Sequence, residues 1–176
     1  MGASTLAKVI SRHRICLRGS YFNHGGERAS ALQLLMSKSF YFAILVQIRT
    51  KGPLPISIIS GWFLFFLFSS DIARNSRISG NTFFPHPMCI IIGKDVNISG
   101  SVVIFDQTSF GKKHPGTICG MPFISGTGLV GSGAKVLGAI RIGGKFVIAA
   151  NTVVTASAEN VSLVGNKCFG AVYFDR

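Results

Sequence analysis

Acidic residues are scarce in this sequence of 176 residues. Six Asp and Glu stand against 18 Lys and Arg, which gives a formal net charge of +12 at pH 7. A surplus of this kind favours anionic partners such as nucleic acid, phospholipid head groups or phosphorylated ligands. The sequence has no zinc-finger spacing, RNA-binding aromatic motif or recognition-helix pattern, so we expect no nucleic-acid partner. A solvated basic surface is the other interpretation of the charge.

Cysteine is also sparse, and its four occurrences lie far apart without a CxxC pair, at Cys16, Cys89, Cys119 and Cys168. This spacing favours reduced structural thiols over a disulfide framework or a zinc site, and we expect no metal. The first residues are basic and lack an apolar segment followed by a small-residue cleavage site. We therefore expect no signal peptide and a cytoplasmic protein, with peripheral attachment to the inner face of a membrane left open.

No apolar run reaches the roughly 20 residues that a membrane-spanning helix needs. Residues 1–28 are polar and basic, and we expect them to be irregular. Ala29 to Arg49 predicts a helix, and Lys51–Pro55 is a break. Ile56 to Phe68 predicts a second helix, which we expect to be buried against the first; the alternative is a helix in a membrane interface, with Trp62 and the phenylalanines in lipid. We treat 1–70 as one basic, apolar, helical N-terminal region.

Beyond residue 70 the sequence becomes periodic. Aliphatic or aromatic residues recur at every sixth position in three phases, the last of them without a miss: Ile78 and Phe84; Ile92, Ile98, Ile104 and Phe110; Ile124, Val130, Val136, Ile142, Ile148 and Val154. The residue that follows is usually small or polar. A period of six fits neither an ordinary helix nor an alternating strand, but it fits a triangular coil whose faces are short strands. The sequence therefore predicts a mainly β fold, a parallel β-helix, over residues 71–165, with a tail at 166–176.

Two steps interrupt the period. The step from Phe84 to Ile92 spans eight residues, and the step from Phe110 to Ile124 spans fourteen. The longer step predicts a protruding loop at 111–123. Long loops on a regular scaffold often carry function.

The repeat and its flanking motifs resemble the hexapeptide-repeat acyltransferases of left-handed parallel β-helix fold. The resemblance covers roughly Asp71 to Asn166 and is closest to the serine O-acetyltransferase branch and its relatives that acetylate sugars of surface polysaccharides. Matching strings are DI at 71–72, ISG at 78–80, PHP at 85–87, IIIG at 90–93, VNI at 96–98, VGSGAKVLG at 130–138 and VGN at 164–166.

The resemblance implies a catalytic His86 oriented by Asp71, because the family keeps an Asp fifteen residues before its catalytic His. A histidine suits the removal of a proton from an acceptor hydroxyl near neutral pH, and a carboxylate on its other nitrogen fixes the tautomer. The hydroxyl oxygen would attack the thioester of acetyl-CoA, with a backbone N–H holding the oxyanion.

The chain departs from the serine-acetylating pattern where that family binds serine. Pro85 replaces an acidic residue, and Gly120 and Met121 replace an Arg-His pair. These departures favour a sugar hydroxyl in capsule, exopolysaccharide or lipopolysaccharide as the acceptor. The alternatives are serine O-acetylation in cysteine biosynthesis and a non-catalytic β-helix that acts as a scaffold or at a membrane surface.

For the donor, the resemblance implies acetyl-CoA bound at small residues on the corners of the coil and at nearby lysines. The corresponding positions are Gly111, Lys112, Ser132, Gly133, Ala149, Ala150 and Lys167. The candidate acceptor contacts are Pro85, Lys113, His114 and Met121. The resemblance also implies a homotrimer, because that family binds CoA between neighbouring subunits.

Overall fold

A computed structural model describes residues 2–16, 30–114 and 120–159. Four helices come first: α1 (Ala3–Cys16), α2 (Ala31–Leu35), α3 (Lys38–Lys51) and α4 (Leu54–Phe68). The expectation that the first 28 residues are irregular is wrong for α1. Its Val9, His13, Ile15 and Cys16 are buried, so this basic segment is held by packing that its low apolar content did not reveal.

The helix predicted from Ala29 to Arg49 is divided in two. The side chain of Ser30 caps α2 by accepting a hydrogen bond from the Gln33 N–H, and Ser37 caps α3 by accepting one from the Phe40 N–H. A serine placed between two apolar runs therefore starts a new helix, since its oxygen replaces a missing helical partner.

Helix α4 begins at Leu54, with Pro55 in its first turn, and it is not the buried helix that we expected. Only Ser57, Ser60, Leu64 and Phe68 are buried, while nine other large apolar residues of the helix are exposed. The helix packs against α3 along this narrow face. Because the sequence is apolar all round, it could not show which face the neighbouring helix covers.

Thirteen short parallel strands follow, and they form the predicted coil. The first sheet contains β1 (Asp71–Ile72), β3 (Ile91–Ile92), β6 (Ser109–Gly111), β9 (Lys135–Leu137) and β12 (Val153–Val154). The second contains β2 (Arg77–Ile78), β4 (Asn97–Ile98), β7 (Phe123–Ile124), β10 (Arg141–Gly143) and β13 (Ala158–Glu159). The third contains β5 (Ser101–Ile104), β8 (Thr127–Val130) and β11 (Lys145–Ile148). The chain visits the three sheets in turn, and each strand pairs in register with the strand one coil away. This architecture is a left-handed parallel β-helix, as the six-residue period predicts.

The periodic residues form the core. Every one of them from Ile78 to Val154 is at most 3% exposed, including Phe84, Phe110 and Val136. Each coil forms backbone hydrogen bonds with the coils above and below it, so strands of two to four residues are long enough to be stable.

The helices are attached to the first coil by side chains of α3. Arg49 donates from Nε to the Ile72 carbonyl at 2.9 Å and from Nη1 to the Ser57 carbonyl at 3.2 Å, so it joins three elements. Gln47 donates from Nε2 to the carbonyl oxygens of Ile78 and Ser79. The helical pair is therefore fixed to the start of the β-helix, on the coil that precedes His86.

Candidate active site

Six of the thirteen predicted site residues lie on one edge of the β-helix, where the chain passes from the third sheet to the first. We call this edge the third corner; it consists of residues 84–90, 105–108, 131–134 and 149–152. It holds Pro85, His86, Ser132, Gly133, Ala149 and Ala150. A cleft of about 340 Å³ lies along it, lined by Phe105, Leu129, Gly131, Ser132, Val147, Ile148, Ala149 and Ala150. These six predicted residues therefore share one edge of the β-helix.

Small residues shape this cleft. A Cβ at Gly131 would lie 2.6 Å from the Ala150 nitrogen, so only glycine lets these two turns approach each other. The walls are apolar, with the Ser132 hydroxyl and backbone groups as polar contacts. An open, mostly apolar cleft of this kind suits an extended arm with amide groups, such as the pantetheine of CoA.

His86 lies at the lower end of the same edge and is exposed. Its ring is 6.0 Å from the ring of Phe105, centroid to centroid, and Phe105 also lines the cleft. The backbone around it is fixed: the Met88 N–H donates to the His86 carbonyl at 2.8 Å, and the Cys89 N–H donates to the Phe68 carbonyl at 3.0 Å. An accessible imidazole therefore borders the apolar cleft on a well-held turn.

Asp71 is placed differently from the expectation. It begins β1, is exposed, and lines a second cleft with Arg49, Trp62 and Phe65. Its backbone pairs with Ile91, so it is near the segment that carries His86, but no hydrogen bond joins the two side chains in the described part of the chain. The orientation of His86 by Asp71 stays a prediction.

Asp106 is a residue of the third corner that the sequence did not single out. It accepts from the Ser132 hydroxyl at 2.7 Å through Oδ1 and from the Gln107 amide at 3.2 Å through Oδ2, and its carbonyl accepts from the Gly133 N–H at 2.9 Å. Asp106 therefore holds in place both Ser132 and Gly133, two of the predicted contacts of acetyl-CoA. The available signal was the scarcity of carboxylates in this chain, since only six are present.

The remaining predicted residues lie elsewhere. Gly111 ends β6 opposite Leu137, at the other edge of the first sheet, and Lys112, Lys113 and His114 follow it at the exposed start of the loop. The Met121 side chain packs onto the core where the loop returns, with Cε 2.7 Å from the position a Gly93 Cβ would take. Lys167 lies outside the described residues. Within the described part of one chain, Gly111 to His114 and the third corner therefore lie at opposite edges of the first sheet.

Two further features of the described ranges bear on the chemistry. Residues 2–16, 30–114 and 120–159 contain no group of three or more His, Cys, Asp and Glu that could hold a metal ion. In the same ranges, no helix is both long and apolar enough to cross a membrane.

The fold and the third corner define the class of hexapeptide-repeat β-helix proteins, and comparison with known proteins gives the relatives within it. No family model matches the chain. A serine acetyltransferase from Helicobacter pylori is 32% identical over 110 residues, which cover 58% of this chain and 60% of that protein. Another, from Staphylococcus aureus, is 32% identical over 101 residues, which cover 53% of this chain and 44% of that protein. The chain thus spans less than two thirds of these relatives.

Solved structures agree on the fold. The serine acetyltransferase from Brucella abortus gives a TM-score of 0.76 at 22% identity, covering 93% of this chain and 66% of that chain. The Neisseria gonorrhoeae serine acetyltransferase in complex with serine gives 0.75 at 20% identity, covering 94% and 68%. These similarities show the fold, and they extend through the helical region as well as the coil.

Proposed function

We propose that the chain is an O-acetyltransferase that takes its acetyl group from acetyl-CoA. The observation that carries the proposal is the third corner, where His86 borders a cleft lined by small residues. The relatives support it, because the two that are 32% identical to this chain over 110 and 101 residues are serine acetyltransferases. Acetyl-CoA supplies an activated thioester. Residues 71–165 are the proposed catalytic domain.

The proposed reaction uses His86 as a general base. One ring nitrogen takes the proton of the acceptor hydroxyl as the oxygen attacks the acetyl carbonyl, and positioned proton transfer of this kind contributes about 10²–10⁴-fold. The C–S bond of the thioester then breaks, and the imidazolium returns the proton to the departing CoA thiolate. Ser132, Gly133, Ala149 and Ala150 hold the donor along the third corner, with Asp106 fixing the first two. Lys112 and Lys167 are proposed contacts for the donor phosphates.

L-serine is the acceptor that the relatives favour. Both named relatives acetylate serine by name, and one of the structures similar in fold is a complex with serine. This reverses our first expectation of a sugar hydroxyl, which no comparison supports.

A sugar hydroxyl remains a second candidate because of three particular residues. Pro85, Gly120 and Met121 stand where the resemblance expects an acid and an Arg-His pair, and none of them carries a charge to bind the amino acid. Met121 is also engaged in packing onto Gly93. Pro85, Lys113, His114 and Met121 remain the proposed contacts of either acceptor.

The test is thiol release from acetyl-CoA with L-serine, nucleotide sugars or oligosaccharides as acceptors. We expect His86→Asn to lower kcat by about a hundredfold or more while the fold is kept. Arg77→Gln, which changes an exposed arginine of β2 outside the proposed site, is the control and should retain most activity. Full turnover by the His86 variant would contradict the mechanism. The absence of CoA binding in calorimetry would favour a non-catalytic β-helix.

A further inference from the structure

Helix α4 buries its serines and exposes most of its large apolar residues, which is the reverse of the usual arrangement in a water-soluble protein. Its buried face carries Ser57 and Ser60, whose hydroxyls donate to the carbonyl oxygens of Arg49 and Leu45, both at 2.6 Å. Its outer face carries the large apolar residues Leu54, Ile56, Ile58, Ile59, Trp62, Phe63, Phe65, Phe66 and Leu67, each at least 46% exposed. Leu64 and Phe68 are buried beside these serines, whereas Phe63, Phe65 and Phe66 point outward.

Small residues at the helix contact extend this pattern. Gly61 faces α3, and a Cβ there would lie 3.0 Å from the Arg49 guanidinium carbon. Helices surrounded by lipid pack through small and hydroxyl-bearing residues, because apolar side chains gain nothing by turning away from hydrocarbon. In water, an apolar surface as large as that of α4 would be costly. The composition of both faces therefore fits a hydrocarbon environment on the outer side.

The charged residues around α4 indicate that its partner carries negative charge. The four described helices contain Lys8, Arg12, Arg14, Lys38, Arg49 and Lys51 and no Asp or Glu. Lys51 is the last residue of α3, just before α4 begins, and partial burial and then the positive charge of Lys8 lower its pKa. The positive charge beside the start of this apolar helix complements anionic phosphates.

We propose that α4 lies in the interface of an anionic phospholipid membrane, with its outer face in the acyl region and the neighbouring lysines on the head groups. The helix is 15 residues long, about 22 Å, and it rests along the surface rather than crossing it. Trp62 stacks on Phe66 with ring centroids 5.5 Å apart, which gives the face a rigid aromatic centre. The proposal does not depend on the acetyltransferase activity.

The chain contains its own probe, because Trp62 is the only tryptophan. We expect its emission to shift to the blue on phosphatidylcholine vesicles that contain phosphatidylglycerol, and to be quenched by lipids brominated in the acyl chain. On vesicles of phosphatidylcholine alone, or at high salt, binding should weaken about tenfold or more. The full chain is used, and thermal unfolding checks that each variant folds.

Matched variants locate the surface. Phe66→Glu, at a residue 69% exposed, should weaken binding about tenfold or more, while Val153→Glu, at a residue 61% exposed on β12, should leave it unchanged. Lys8→Glu with Lys51→Glu should lower binding to the anionic vesicles and leave the weak binding to neutral vesicles unaltered.

Three results would overturn the proposal. The first is no change in Trp62 emission on any vesicle, and the second is unchanged binding by Phe66→Glu. The third is a Trp62 already shielded from acrylamide without vesicles, in a protein whose oligomer dissociates on Phe66→Glu. That result would assign the face to a second copy of the chain.

Discussion

At the scale of single residues, the tightest positions are glycines at the corner between the second and third sheets. Gly100, Gly126 and Gly144 stack there, one in each of three successive coils. A Cβ at Gly126 would lie close against the Gly144 carbonyl oxygen, and the φ of Gly126 is +93°. Both the space and the backbone conformation therefore require glycine.

We expect Gly126→Ala to lower the free energy of unfolding by about 2 kcal/mol or more, because the coils must move apart and the backbone is strained. Gly111→Ala is the matched control, since nothing lies within 4 Å of its added Cβ and its φ is not positive. Chemical denaturation of both variants measures the difference. Equal stability of the two would contradict the close stacking.

His13 predicts a dependence of stability on pH. Burial lowers its pKa to about 4, even though hydrogen bonds to the Val9 and Ser39 carbonyls act in the opposite direction. The unfolded chain therefore binds a proton at pH values where the folded chain does not. Its contribution is present above the unfolded value of 6.5 and is lost as the pH falls from there toward 4.

From pH 7.5 to pH 5 this residue should lower the free energy of unfolding by about 2 kcal/mol. Denaturation of the wild type and of His13→Gln across that range measures the effect, and the variant should show a shallower decline. A decline of the same slope in both proteins would assign the acid sensitivity to other groups.

Individual residues also show how far the site could be predicted. His86 could be proposed from the resemblance because its distance from Asp71 is a property of sequence alone, and its catalytic role stays a prediction. Phe105 and Asp106 were missed because they join the candidate site through neighbouring coils, which become adjacent only after folding. Asp71 lines a cleft with Arg49 and Trp62, and its contact with His86 stays a prediction.

At the scale of elements, the helices and the coil differed in how well they could be predicted. The inward residues of the coil were correct at every periodic position because burial there repeats with a fixed spacing. Helix α1 was not predicted, and α4 was expected to be buried although most of its large apolar residues are exposed. Both errors arise because the burial of a helix depends on contacts among α1, α3 and α4. Sequences apolar on all sides carry no information about that choice.

Arg49 connects these elements, and its replacement by lysine is a prediction at this scale. Nε and Nη1 reach the Ile72 and Ser57 carbonyls, and a single ammonium cannot keep both directions. We expect Arg49→Lys to lower the free energy of unfolding by about 1–2 kcal/mol. Thermal unfolding of the variant and the wild type measures this loss. Arg77→Lys, at an exposed arginine of β2, is the control and should have little effect in the same experiment.

At the scale of the whole molecule, the two edges of the first sheet pose a question of assembly. Ser132 and Ala149 lie before their strands, at the third corner, whereas Gly111 ends its strand and Lys112 follows it. If all four hold one donor molecule, they must come from two chains. A closed ring of three chains, as the resemblance implies, would bring the edge of one subunit against the loop of the next.

Mixing two inactive variants tests this arrangement. His86→Asn removes the base, and Lys112→Glu with Lys113→Glu disables the loop. If each site takes its base from one chain and its loop from a neighbour, trimers reassembled from equal amounts should regain about one quarter of the wild-type activity, because half of the chains supply each intact part. If each chain holds a complete site, the mixture should stay as inactive as its components. Ion-exchange chromatography separates mixed trimers, because the two Lys→Glu changes alter the charge of one variant, and it confirms that the chains have exchanged. Recovered thiol release then reports on geometry and not on folding.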